Sequence, residues 1–70
     1  MESYEILVEG FLDAHWSAWF AGLEVNGDAN LGTTTIAGPV TDQAALHGLL
    51  VKIRDLGLPL LLARRLDPDQ

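Results

Sequence analysis

From Tyr4 to Glu9 the chain alternates: Tyr4, Ile6 and Val8 stand against Glu5, Leu7 and Glu9, the period of two that marks a strand with one buried face. Gly10 ends that segment. Behind a candidate N-cap, Asp13, the residues Leu12, Trp16, Trp19, Phe20 and Leu23 recur at helical spacing, which predicts a short helix closed by Gly22. Leu23 and Val25 then alternate with Glu24 and Asn26 as a second strand. Asn26-Gly27 opens a turn, and a polar loop to Gly32 leads into a β-branched third strand, Thr33–Val40. Past Pro39, Thr41 or Asp42 can cap a second helix with the stripe Leu46, Leu49, Leu50, Ile53 and Leu56, which Gly57 stops. From Leu58 to Leu66 the chain is apolar on both faces except at Arg64 and Arg65, as expected of a last strand.

This order, β-α-β-β-α-β, predicts an α+β fold, the ferredoxin-like sandwich. Right-handed crossovers would give a four-stranded antiparallel sheet in the order 4-1-3-2, with two helices on one face. Residues 1–66 make the single domain, and 67–70, Asp-Pro-Asp-Gln, a polar C-terminal tail. Counting alternate residues, the uncovered face carries Leu7, Ala37, Leu61 and Ala63, ringed by Glu5, Glu9, Glu24, Thr35 and Arg65. An apolar centre inside a charged rim has the make-up of a docking surface. The fold hosts many unrelated activities and so names none by itself.

Seventy residues lie near the lower limit for a self-sufficient core, and with no cysteine the chain has neither disulfide nor thiolate to reinforce it. Oligomerisation is the remaining source of stability. Ten acids against four bases give a net charge of −6, which repels phosphate backbones and anionic lipid, so neither nucleic acid nor membrane is expected as a partner. Met1-Glu2-Ser3 offers no basic leader region, and the longest apolar run, Leu56 to Ala63, is interrupted by Gly57 and Pro59. A cytoplasmic protein is expected.

The strings Trp16-Ser17-Ala18-Trp19-Phe20-Ala21-Gly22-Leu23, Asp42-Gln43-Ala44-Ala45-Leu46-His47-Gly48-Leu49-Leu50 and Ile53-Arg54-Asp55-Leu56-Gly57-Leu58-Pro59-Leu60 resemble those of a widespread set of short, uncharacterised bacterial proteins. The resemblance spans nearly the whole chain. It implies a compact stand-alone bacterial protein and carries over no catalytic residue.

Site chemistry is sparse. RNA-binding ferredoxin-like domains stack bases on aromatic residues of the central strands, yet strand three has none and Tyr4 falls on the helix side. Where a metal chaperone of this fold needs a cysteine pair, the chain has Gly10-Phe11-Leu12, and no arginine precedes Arg54 to cradle a phosphate. Asp28-Ala29-Asn30-Leu31-Gly32 begins like a calcium loop, but the position of the closing glutamate holds Pro39, which leaves a polar hairpin loop. His15 and His47 lack companion ligands, although Asp13 is within reach of His15. Trp16, Trp19 and Phe20 are expected to fill the core, with one tryptophan reaching a pocket or interface.

Gly48 stands out, since glycine inside a helix costs about 1 kcal/mol relative to alanine. It shares an outward face with Ala44, Val51 and Asp55, small enough to admit another backbone. The expected function is therefore a non-enzymatic, homo-oligomeric protein-interaction module that pairs with itself. Its contact would run through Leu7, Ala37, Leu61 and Ala63 on the sheet or Ala44, Gly48 and Val51 on the helix. The alternative is a small-ligand-binding regulatory domain with a pocket between protomers near Gly10, His15 and Trp16. No catalytic residue, metal or cofactor is expected, and partners beyond self would be an unidentified protein or small ligand.

Overall fold

The computed structural model describes residues 2–66, with all side chains from Ser3 onward; the expected tail at 67–70 lies outside the described residues. Strands β1 (Glu2–Glu9), β2 (Glu24–Asp28), β3 (Thr33–Val40) and β4 (Leu60–Leu66) form one antiparallel sheet in the order β2-β3-β1-β4. Read from the β4 edge, that order is 4-1-3-2. One α-helix, α1 (Gln43–Asp55), crosses a single face of the sheet between β3 and β4. Asp42 caps it by accepting from the Ala45 N–H at 2.8 Å, and Leu49 and Ile53 are its buried residues. They meet Ile6 and Val8 of β1, Ile36 of β3 and Val25 of β2 in one core.

The expected two-helix ferredoxin-like layout is overturned, because the first crossover is not an α-helix. Asp13 does cap a turn, accepting from the His15 N–H, but the turn is a single 3₁₀ piece, Ala14–Ser17. A buried tether explains this. The Thr34 hydroxyl, wholly enclosed in β3, accepts from the Leu12 N–H at 2.9 Å and donates to the Gly10 carbonyl at 2.6 Å. Residues 10–12 are thus held against the sheet, and only Asp13 to Gly22 remains to cross to β2. That is under about three α-helical turns, below the length at which a helix holds without tertiary support. Instead the Ser17 hydroxyl donates to the Leu23 carbonyl at 2.6 Å and the Gly22 N–H to the Ser17 carbonyl at 2.8 Å, folding the segment back on itself. Ala21 and Gly22 turn with φ of 59° and 82°. Phe20 is left as the plug of the core, at 1% exposure.

Two further expectations are corrected. Asn26-Gly27 does not open the turn: both lie inside β2, opposite Thr35 and Thr34. The chain at Phe11-Leu12 runs so close over Gly27 that a Cβ there would collide with the Leu12 carbonyl and the Phe11 ring, so this glycine answers a close approach. The turn comes later, where the Asp28 carboxylate accepts from the N–H groups of Asn30 and Leu31 at 2.9 and 3.1 Å.

The second correction concerns β4. Leu7 pairs with Leu62 but Val8 pairs with Leu60, so Leu61 is an extra residue in a bulge. Alternation counted from Leu60 therefore fails beyond it. Ala63 and Arg65 stand opposite Ile6 and Tyr4 on the helix side, whereas Leu62 and Arg64 join Leu7 and Glu5 on the outer face.

Candidate functional site

A helix about 10–12 Å across cannot roof four strands spaced about 4.8 Å apart. Among the described residues no second α-helix lies beside α1, which leaves openings on both of its flanks and the edge strand β4 bare.

In β4, Leu60, Leu61 and Leu62 are 50%, 50% and 46% exposed, three consecutive large apolar residues on an edge strand. Among the described residues no strand pairs with its outer side. Leu60 stands opposite Val8 on the helix side and Leu62 opposite Leu7 on the outer face, so apolar surface is open both above and below this edge. On the helix side it continues into a shallow cavity of about 440 Å³ lined by Leu50, Ile53, Leu58, Pro59 and Leu60. On the outer face it continues through Leu62 to half-buried Leu7 and on to Ala37. An ion pair closes this face at one end: Arg64 Nε and Nη2 both lie 2.8 Å from Glu5 Oε1.

The opposite edge is built differently. β2 is shorter and presents Glu24, Asn26 and Asp28, all exposed, a charged and polar border of the kind that discourages strand addition. β4 has no such guard along its first four residues.

The second opening adjoins the crossover from β1 to β2, on the other flank of α1. It is an apolar groove of about 330 Å³, floored by Phe20, Leu23, Val40 and Leu49 and bordered by Gly48 and Lys52. A Cβ on Gly48 would meet nothing within 4 Å, so this glycine faces open space. At the rim, Lys52 Nζ donates to the Trp19 carbonyl at 2.8 Å and sits 5.7 Å from the centroid of the Trp19 ring. Trp16 packs edge-on against Trp19, 6.3 Å between centroids, and this pair braces the ring that holds the ammonium.

The residues expected as sites fall into three groups. Leu7, Ala37 and Leu61 belong to the sheet surface around β4, and Ala63 lies in the same strand on its helix side. Ala44, Gly48 and Val51 are exposed on α1, with Gly48 turned to the groove. Gly10, His15 and Trp16 line neither of the cavities flanking α1. Gly10 is engaged through its N–H with the Gly32 carbonyl at 2.7 Å, Trp16 packs on the core, and the His15 side chain is 96% exposed, with Nδ1 3.3 Å from Asp13 Oδ1. His47 is exposed on α1. Among the described residues no three His, Asp or Glu side chains gather as metal ligands, and no helix is long and apolar enough to cross a membrane.

The groove is the feature the periodicity concealed. Its one signal was Gly48, which the helical wheel placed outward but could not place over a cavity.

Residues 3–64 match the family model of a domain of unknown function, DUF8691, and the chain belongs to that family. Neither a curated protein nor a solved structure matches it.

Proposed function

We propose that this DUF8691 chain is a non-enzymatic, homo-oligomeric interaction module, a two-fold dimer joined through the outer edge of β4. The observation that carries this reading is the run Leu60-Leu61-Leu62, apolar on both faces of an edge whose backbone has an open side. Antiparallel pairing of two β4 strands about an axis at Leu61 would set Leu61 against Leu61 and Leu60 against Leu62. It would also send Arg64 and Arg65 of the two copies to opposite ends, away from one another. Such an isologous contact extends the two sheets into one. It would also add buried apolar area to a core that, at this length, supplies little more than about 3–5 kcal/mol.

In this reading the protein works as a small bacterial protein of the cytoplasm, and its partner is a second copy of itself. Its net charge of −6 disfavours nucleic acid and anionic membranes. A second reading, small-ligand binding, is favoured by a separate observation, the apolar groove beside Gly48.

Light scattering coupled to size-exclusion chromatography tests the dimer. The parent is expected at twice the chain mass of 7.6 kDa, and Leu61→Asp at the chain mass with an unchanged circular dichroism spectrum. A parent that stays monomeric at high micromolar concentration, or a Leu61→Asp variant that stays dimeric, overturns the reading.

A further inference from the structure

We propose that the groove between α1, the turn at residues 20–23 and the end of β3 binds a small amphipathic carboxylate, its apolar body against Phe20, Leu23, Val40 and Leu49 and its carboxylate on Lys52. This names a ligand class for the second reading above and does not depend on self-association.

Three observations converge on it. The groove's volume of about 330 Å³ sits at the small end of the roughly 300–1,000 Å³ usual for ligand pockets, and its walls are mostly apolar. Its one charged lining residue is Lys52. In a chain with ten acids and four bases, an apolar groove bordered by a cation and by no carboxylate selects a ligand of negative charge. The ammonium is also pre-positioned: the Trp19 carbonyl takes one of its three N–H donors and the Trp19 ring lies beside it, which leaves donors for a carboxylate without a further cost of ordering the side chain.

Gly48 is the third. Among the described residues, nothing beyond its own turn of helix comes within 4 Å of where its Cβ would stand, so no packing between elements requires glycine there. Within a helix it lowers stability relative to alanine. What glycine does provide at this place is width, because any larger side chain on that turn would project into the groove.

The test is calorimetric titration of the full chain with octanoate, and in parallel with octan-1-ol and octylamine. Octanoate is expected to bind with a Kd below about 1 mM and at least about tenfold more tightly than the alcohol, with the amine weaker still. Gly48→Leu, which fills open space and favours the helix, should fold and weaken octanoate at least about tenfold. Lys52→Gln should bring octanoate down to the level of the alcohol. Equal binding of the alcohol and octanoate by the parent overturns the carboxylate proposal while leaving a ligand groove. Binding of none of the three overturns both, and octanoate binding that survives Gly48→Leu puts the site elsewhere and overturns the placement.

Discussion

The Thr34 hydroxyl donates to the Gly10 carbonyl at 2.6 Å, joining the inner strand β3 to the chain just as it leaves β1. The same oxygen accepts from Leu12 N–H, so one enclosed side chain satisfies two backbone groups that have no strand partner. Thr34→Val keeps the shape and removes both bonds. Leaving such groups unpaired costs about 1–3 kcal/mol, which in a domain of this size lowers Tm by at least about 4–8 °C. Thr34→Ser keeps the bonds and loses one methyl, about 0.8 kcal/mol. Thermal unfolding followed by circular dichroism should therefore rank the parent above Thr34→Ser and Thr34→Ser above Thr34→Val. A Thr34→Val protein as stable as the parent would show that the tether contributes nothing.

Gly27, the glycine of β2, should not tolerate a side chain. The obstacle to a Cβ there is the Leu12 backbone carbonyl, which the Thr34 bond to Leu12 N–H prevents from moving aside. Gly27→Ala is expected to cost more than about 2 kcal/mol, the range in which strain and lost packing outweigh ordinary surface changes. Urea denaturation measures it. An unchanged midpoint would mean that Phe11 and Leu12 can lift away freely.

The strands were legible because their signal is local. Ile6 and Val8 alternate with residues on the other face, and both end fully buried; the stripe on α1 puts Leu49 and Ile53 into the core, with Asp42 and Gly57 bounding the helix as their chemistry suggests. What could not be read was set by contacts distant in sequence. The Leu12, Trp16, Phe20 spacing suits an α-helix, but Thr34, more than twenty residues away, shortens the segment on which that helix would form. In β4 the alternation is masked because nearly every residue is apolar, so nothing marks Leu61 as the bulge that reverses the faces after it. The groove adjoins the same crossover, lined by Phe20, Ala21 and Leu23 of the turn that stands where the spacing predicts a helix.

Removing the guard from the other edge should change assembly. Glu24 and Asn26, whose side chains hydrogen-bond at 3.0 Å, border β2. With Glu24→Val and Asn26→Val combined, both edges become apolar and each dimer can add further copies. Sedimentation velocity should then show species larger than the dimer, growing with concentration. Persistence of a single dimeric species would mean that the charge on β2 has no part in limiting growth.

The groove and the helix place opposite demands on Gly48, and a smaller change than the one used to fill the site separates them. Gly48→Ala adds one methyl to a position with nothing within 4 Å, so it introduces no clash. It also removes the helical penalty of glycine, about 0.5–1 kcal/mol. The variant should unfold at a higher urea concentration than the parent with an unchanged slope. It should also bind octanoate more weakly than the parent but better than Gly48→Leu, because the methyl takes up only part of the width. A Gly48→Ala protein that is less stable than the parent would show that the glycine meets a backbone requirement of α1, and groove width would then not be what glycine provides there.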